Sequence, residues 1–227
     1  MKTIIGVIML LLMTSWSCAN DIYVTQSGNA LDLDITQDGE NNTVGNSTTA
    51  SASAGVTTIL NIDQIGDSNV ITYQINGATY TGVINLVGNS NNVDLNCDST
   101  GGNSSCGTAN AVINFTGSSN DIDLDIGQTS SANTADVDIV GQSGSDSNVV
   151  AATVDGNSAV LTITVNGDTN NYLIDIDGNG DSVGHTLIHS HTGGIADVDI
   201  IQSGTNDNMI TLTTSGDNAD IDISQTD

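Results

Sequence analysis

The chain has 227 residues and a formal net charge of -26, with 27 acidic residues against a single Lys or Arg. This charge excludes nucleic acid and anionic membranes as partners, because both carry the same sign and are repelled. Proline is absent, so every backbone amide is available to a β-sheet ladder. The 37% of hydrophobic residues favour a folded chain over a disordered polyanion.

Residues 1–19 have the features of a secretory signal peptide. Lys2 precedes the apolar residues 4–13, a run that is too short to cross a bilayer. Small residues fit a cleavage site before Asn20, and the alternative is a lipoprotein acylated at Cys18. We therefore expect a secreted protein, extracellular or on the cell surface. Its mature part, residues 20–227, is predicted to be one domain without a transmembrane segment and, once Lys2 is removed, without any fixed cation.

The mature sequence is dominated by segments in which aliphatic residues alternate with Asp, Thr or Ser. In residues 31–37, for example, Leu, Leu and Ile alternate with Asp, Asp and Thr before Gln37 closes the row. A spacing of two places the aliphatic side chains on one face of a β-strand and the carboxylates on the other. We expect the aliphatic faces to form the interior of an all-β fold.

Glycines mark the turns between these segments at intervals of about eleven residues. One strand and one tight turn fill such an interval, so two intervals make a strand-turn-strand coil of about 22 residues. This pattern predicts a β-solenoid of roughly eight coils, with turn-rich insertions near 43–56, 97–108, 129–135 and 180–195. The predicted turn residues are Gly28, Gly39, Gly66, Gly88, Gly117, Gly144, Gly167 and Gly204.

Amide side chains recur at the ends of the aliphatic rows. An inward amide without a partner costs about 1 to 3 kcal/mol, so we expect these side chains to stack on their equivalents in adjacent coils as hydrogen-bonded ladders. The predicted ladder residues are Gln26, Gln37, Asn42, Gln64, Asn69, Gln128, Gln142, Gln202 and Gln225.

Segments 37–42 and 64–69 both read Gln-x-Gly-x-x-Asn, and looser copies keep Gly-x-x-Asn at 88–91, 117–120 and 167–170. These motifs and the coil length resemble the curlin repeat. The resemblance implies a curlin-like β-solenoid that serves as a structural subunit of extracellular, amyloid-like fibres of the curli type, in cell adhesion and biofilm matrix. It also implies self-association into fibres, with secretion and nucleation accessory proteins as further partners.

Two other functions stay open for the same fold. The first is a non-polymerising acidic surface adhesin, and the second is a calcium-binding β-solenoid.

Equivalent Asp residues in adjacent coils would stack at about 4.8 Å, so either the rows are offset or Ca²⁺ bridges them. The simpler alternative is a hydrated acidic face. Residues 175–181 resemble the start of a calcium loop, but Thr186 stands where a bidentate acid is required.

Cysteine and histidine offer two further candidate sites. Cys97 and Cys106 flank a Gly-rich segment and predict one disulfide in an exported protein, with free thiols or pairing between chains as alternatives. His185, His189 and His191 fall in the last predicted insertion, where they suggest either a transition-metal site or a surface loop without metal.

No catalytic residue is predicted. The sequence contains no nucleophile elbow, phosphate loop or zinc-protease motif, and its abundant Asp residues single out no carboxyl pair. The mature chain also lacks the Lys or Arg that commonly stabilises developing negative charge in polysaccharide-cleaving β-helices. We therefore expect a protein that is not an enzyme.

Overall fold

The protein folds as a parallel β-solenoid. The computed structural model describes residues 20–39, 41–45, 51–66, 68–97, 106–127, 134–142, 144, 146–156, 158–178, 185–204 and 208–226, and every regular element within these ranges is a β-strand. The predicted all-β solenoid is thereby confirmed. The predicted signal peptide, residues 1–19, lies outside the described residues.

Seventeen strands make up the described fold. They are β1 (Asn20–Ile22), β2 (Thr25–Ser27), β3 (Ala30–Asp38), β4 (Asn42–Val44), β5 (Ser51–Ile65), β6 (Ser68–Val87), β7 (Ser90–Cys97), β8 (Thr108–Thr116), β9 (Asp121–Ile126), β10 (Thr134–Gly141), β11 (Asn148–Gly156), β12 (Ser158–Asn166), β13 (Thr169–Gly178), β14 (Thr186–Thr192), β15 (Ile195–Ser203), β16 (Met209–Ser215) and β17 (Asn218–Thr226).

The pairings arrange these strands in two parallel stacks, which we call the first and second sheets. The first sheet contains β1 with β2, β4 with the start of β5, the start of β6, and then β7, β9, β11, β13, β15 and β17. The second sheet contains β3, the remainders of β5 and β6, and then β8, β10, β12, β14 and β16. Both β5 and β6 run through a corner and so belong to both sheets.

The register shows how far the chain advances from one layer of the first sheet to the next. The advance is shortest at steps such as Asn69 to Asn91, which are 22 apart in sequence, and longest from Asn91 to Asn120, which are 29 apart. The predicted coil of about 22 residues is therefore the minimum. Longer steps accommodate insertions without disturbing the ladder, because each layer contacts only its neighbours.

Two predicted insertions are too long. Within 43–56, β4 continues to Val44 and β5 resumes at Ser51, so only the intervening residues are additional. Within 180–195, residues 186–192 form β14, an ordinary strand of the second sheet. The error at β14 arose because its inward positions carry two histidines, which hid the aliphatic alternation.

The core lies between the two sheets and is one side-chain layer thick on each side. Alternate residues are buried along nearly every internal strand, for example Ile122, Leu124 and Ile126 in β9. The largest buried side chains include Tyr73, Tyr80, Tyr172 and Phe115. Gly141 pairs with Phe115 in the layer before, where a Cβ would overlap the phenyl ring. A small residue thus makes room for a large one in a narrow interior.

All the predicted turn glycines lie between strands. At three of them, Gly66, Gly88 and Gly117, the missing side chain allows close approach of the backbone. A Cβ on Gly66 would collide with the carbonyl oxygen of Gly39 in the layer before, and Gly88 and Gly117 have the same relation to Gly66 and Gly88. Gly144 differs, because a Cβ there would meet nothing within 4 Å; its φ of 88° is what favours glycine.

Candidate functional site

Six asparagines form a continuous buried ladder in the first sheet. They occupy one inward position in six successive layers: Asn42, Asn69, Asn91, Asn120, Asn148 and Asn170. Each Nδ2 donates to the Oδ1 of the following asparagine at 3.1, 2.7, 2.5, 2.6 and 2.5 Å. No member is more than 3% exposed.

Several of these asparagines also donate an Nδ2 hydrogen to a backbone carbonyl oxygen at a corner of the solenoid. Asn120 donates to the carbonyl oxygen of Gly117 at 2.7 Å, and Asn170 donates to that of Gly167 at 2.8 Å. At Asn91, Asn120 and Asn170 the Gly-x-x-Asn spacing brings the amide back over its own turn. Asn42 and Asn69 donate instead to the Ile65 and Val87 carbonyls, beside the corner of the following layer. The ladder consequently fixes the register between layers and satisfies carbonyl groups that the turn would otherwise leave unpaired.

Sequence reasoning found only part of this ladder. Asn42 and Asn69 were predicted from the full motif, whereas the four later asparagines were not assigned to the ladder. For Asn91, Asn120 and Asn170 the signal was present in the looser copies that keep Gly-x-x-Asn without Gln, whereas Asn148 follows its glycine, Gly144, by four residues. The amide that matters along the whole stack is therefore the asparagine rather than the glutamine.

Glutamine ladders are short and lie near the two ends of the described solenoid. Gln64 Nε2 donates to Gln37 Oε1 at 2.6 Å, and Gln225 Nε2 donates to Gln202 Oε1 at 3.1 Å. Between these pairs other residues take the corresponding positions, for example Leu86 in the layer after Gln64, and Gly141 and His191 further along the same row.

The other predicted ladder glutamines do not extend these pairs. Gln142 is exposed, so the inward role predicted for it is wrong; Gly141, one residue earlier, takes the inward place beside Phe115. Gln26 pairs through its backbone with Ser53, and its side chain lies outside the described part. Gln128 also lies outside the described residues.

The three histidines are buried in the core, which contradicts the surface-loop prediction. His185, His189 and His191 are 2%, 0% and 1% exposed. Both His189 and His191 point inward from β14 toward Tyr172 of the first sheet. Their ring centroids lie 4.3 Å and 5.9 Å, respectively, from the ring centroid of Tyr172. His191 Nδ1 lies 3.1 Å from the Tyr172 hydroxyl and 3.3 Å from Asn170 Nδ2. It therefore closes the end of the asparagine ladder.

Burial keeps these imidazoles neutral. Desolvation lowers the pKa of His189 to about 4, and the neighbouring His191 contributes in the same direction. Desolvation also lowers the pKa of His185, opposed by the charge of Asp177. Neither ring nitrogen of His189 has a hydrogen-bond partner among the described residues. His189 is thus a polar side chain in a position built for an aliphatic one.

The surroundings of the histidines bear on the predicted metal site. Within the described residues, no group of three or more His, Cys, Asp or Glu side chains is arranged to hold a metal ion. His185 Nδ1 accepts a hydrogen bond from the Ala159 amide at 3.1 Å, and that contact orients the ring within the fold. The sequence spacing of two places His189 and His191 on the same inward face of β14.

Cys97 and Cys106 form the predicted disulfide, with 5.9 Å between their Cα atoms. Cys97 ends β7 in the first sheet, and Cys106 precedes β8 in the second sheet. Both cysteines are fully buried. The bond closes a corner within the longest step of the first sheet, the one from β7 to β9.

Asparagines interrupt the exposed carboxylate columns. Asn61 Nδ2 donates to Asp34 Oδ1 in the layer before at 2.8 Å, and Asn96 donates to Asp125 in the layer after at 3.0 Å. Asn85 donates likewise to Asp63 at 2.5 Å. These contacts replace repulsion between stacked carboxylates with hydrogen bonds to a charged acceptor.

Two carboxyl groups of the acidic faces are protonated more easily than usual. Asp123 pairs with Asp94 in the layer before. Burial raises the pKa of Asp123, and the charges of Asp94 and Asp121 raise it further. Burial and the charge of Asp177 likewise raise the pKa of Asp175. The acidic faces are therefore sensitive to pH and to counterions.

Both ends of the described solenoid are open. At one end, Ile221 and Ile223 of β17 are 38% and 49% exposed, although they continue the rows of Val198 and Ile200, which are buried. At the other end, Leu31 and Leu33 of β3 are only partly buried. Among the described strands, β3 pairs only with β5, and β17 only with β15. Each end therefore presents unpaired backbone and uncovered apolar side chains.

The organised features of the described residues are ladders, corners and sheet edges. Among the described residues, no helix is long and apolar enough to span a membrane. No protein-family model, curated protein or solved structure matches the chain.

Proposed function

We propose that this protein is the repeating subunit of a secreted, extracellular fibre in which copies stack end to end through their open sheet edges. The resemblance of its motifs to the curlin repeat suggests the same role, in cell adhesion and biofilm matrix. The observation that carries the proposal is the exposure of inward residues on β17 and β3. These residues continue buried rows and have no covering strand within the described fold.

Each end of the described solenoid can pair with a strand of another copy. A parallel sheet edge offers a row of amide and carbonyl groups at strand spacing, and pairing with another chain satisfies them. Association also removes Ile221, Ile223, Leu31 and Leu33 from water, which is favourable in proportion to the apolar area covered. Natural solenoids that remain monomeric require a polar cap at such ends.

The experiment uses the purified chain of residues 20–227, examined by electron microscopy and fibre diffraction. We expect long unbranched filaments with a meridional spacing of about 4.8 Å, because the solenoid layers would stack along the fibre axis. Short dispersed rods at all protein concentrations would contradict the proposal and would favour the non-polymerising adhesin.

A further inference from the structure

The two sheets of the described solenoid differ in height by one strand. The first sheet has nine layers, ending with β17, and the second has eight, ending with β16. If a second copy stacked without rotation, its β1 and β2 would cover β17, but its β3 would lie two strand spacings above β16. That arrangement leaves Ile210 and Leu212 of β16 uncovered and the two facing edges, of β16 and of the next copy's β3, unpaired.

Sequence equivalence between the two ends offers another arrangement. Residues 20–38 align without gaps to residues 208–226, and nine of the 19 positions are identical, among them Gly28 with Gly216, Asp32 with Asp220 and Gln37 with Gln225. The equivalent strands lie on opposite sheets. Strand β3 belongs to the second sheet and its counterpart β17 to the first, while β1 and β2 correspond to β16.

We propose that successive copies stack with a half-turn about the solenoid axis, so that β16 pairs with β1 and β2 of the next copy, and β17 pairs with its β3. This inference rests on the fibre function proposed above and specifies its interface. The half-turn exchanges the two sheets and also reverses the direction of every strand. Since the chain reverses at each corner, the strands stay parallel across the junction, and both sheets become continuous.

The inward side chains match in this register. Ala219, Ile221 and Ile223 of β17 meet Leu31, Leu33 and Ile35 of the next copy, so aliphatic rows continue through the junction. Each of these residues lies in line with a buried row of its own copy. The inward aliphatic rows of β17 therefore continue into β3 of the next copy.

The glutamine pairs at the two ends become one ladder. Gln225 meets Gln37 of the next copy, which joins Gln202 and Gln225 to Gln37 and Gln64. In both existing pairs the Nε2 group donates toward the earlier layer. An amide nitrogen carries two hydrogens, so Gln37 can donate to Gln225 Oε1 with the same polarity while it keeps its 3.3 Å contact with the Thr43 carbonyl. This explains why glutamine pairs occur at the ends of the described solenoid.

The test is disulfide cross-linking between copies in assembled filaments of residues 20–227. The double variant S224C/T36C places exposed thiols at positions that pair only in the half-turn stack. The matched variant S224C/T25C reports the unrotated stack, in which β17 would meet β2. Paired positions in adjacent strands lie within the Cα separation that a disulfide bridges, about 4.4 to 6.8 Å. The native cysteines Cys97 and Cys106 are buried and bonded to each other.

We expect S224C/T36C to form covalent multimers, seen as a series of bands on a non-reducing gel. S224C/T25C should form no such multimers. The reverse pattern, or filaments in which neither variant cross-links, overturns the half-turn and leaves the fibre function standing. Absence of filaments from the unmodified chain overturns both proposals. Helical reconstruction of unmodified filaments gives a second measurement, and a rotation near zero between subunits overturns the half-turn even if the variants fail to assemble.

Discussion

At the scale of single residues, His189 is a polar side chain at an inward position that aliphatic residues occupy in the adjacent layers. Ile163 and Leu212 hold the same position in the adjacent layers, and His189 is fully buried between them. An imidazole whose nitrogens lack partners loses its hydration without compensation, which costs about 1 to 3 kcal/mol. We therefore expect His189→Leu to raise the free energy of unfolding at neutral pH, as measured by chemical denaturation. Ile163→Leu serves as the control for repacking.

The same residue makes the fold sensitive to acid. The pKa of His189 is lowered to about 4 in the folded chain, so between the ordinary value of 6.5 and about 4 the unfolded chain binds a proton that the folded chain does not. This contribution to stability is present above pH 6.5 and is lost as the pH falls toward 4, by about 3 kcal/mol in total. The free energy of unfolding, measured at pH 7 and at pH 4.5, should fall less between these two pH values for His189→Leu than for the unmodified chain. Equal losses would contradict this assignment.

At the scale of elements, the asparagine ladder links six strands through one side chain each. We expect Asn120→Ala to destabilise the fold by about 2 to 4 kcal/mol, because the buried amides of Asn91 and Asn148 each lose one hydrogen-bond partner and the Gly117 carbonyl loses the Asn120 donor. Thermal and chemical unfolding would measure the change. Asn110→Ala removes an exposed asparagine from β8 and should have little effect. A similar loss of stability in both variants would contradict a special role for the asparagine ladder.

The strands and turns could be predicted from sequence because a period of two and recurring glycines are local signals. The ladder was predicted only where Gln accompanied the motif, since a single sequence does not show which amide faces inward in every layer. His189 was misplaced for a related reason. Its strand alternates Leu187, His189 and His191, and only pairing with Leu161, Ile163 and Val165 reveals that the alternation is that of a core strand.

At the scale of the whole molecule, charge opposes the stacking that the open edges favour. In the half-turn stack, Asp197 and Asp220 continue to Asp32 of the next copy, and Asp199 and Asp222 continue to its Asp34. Three carboxylates then succeed one another in each of two adjacent columns. Repulsion of this kind is screened by salt and relieved by protonation or by divalent cations.

We therefore expect Asp220→Asn/Asp222→Asn to accelerate seeded filament growth and to weaken its dependence on salt. The control is Asp136→Asn/Asp138→Asn, which makes the same change in net charge within internal strand β10. Growth rates measured by light scattering at several ionic strengths compare the two. Equal acceleration would mean that total charge, rather than charge at the junction, controls assembly.

The disulfide-closed corner between β7 and β8 occurs once in each copy. With seventeen strands shared between two sheets, a half-turn stack advances about 40 Å per copy and turns this corner to the opposite side each time. Anything carried by the segment that Cys97 and Cys106 bracket would then decorate both edges of the filament alternately, with a repeat of about 80 Å along each edge. A cell or surface meeting the filament from either side would encounter the same display.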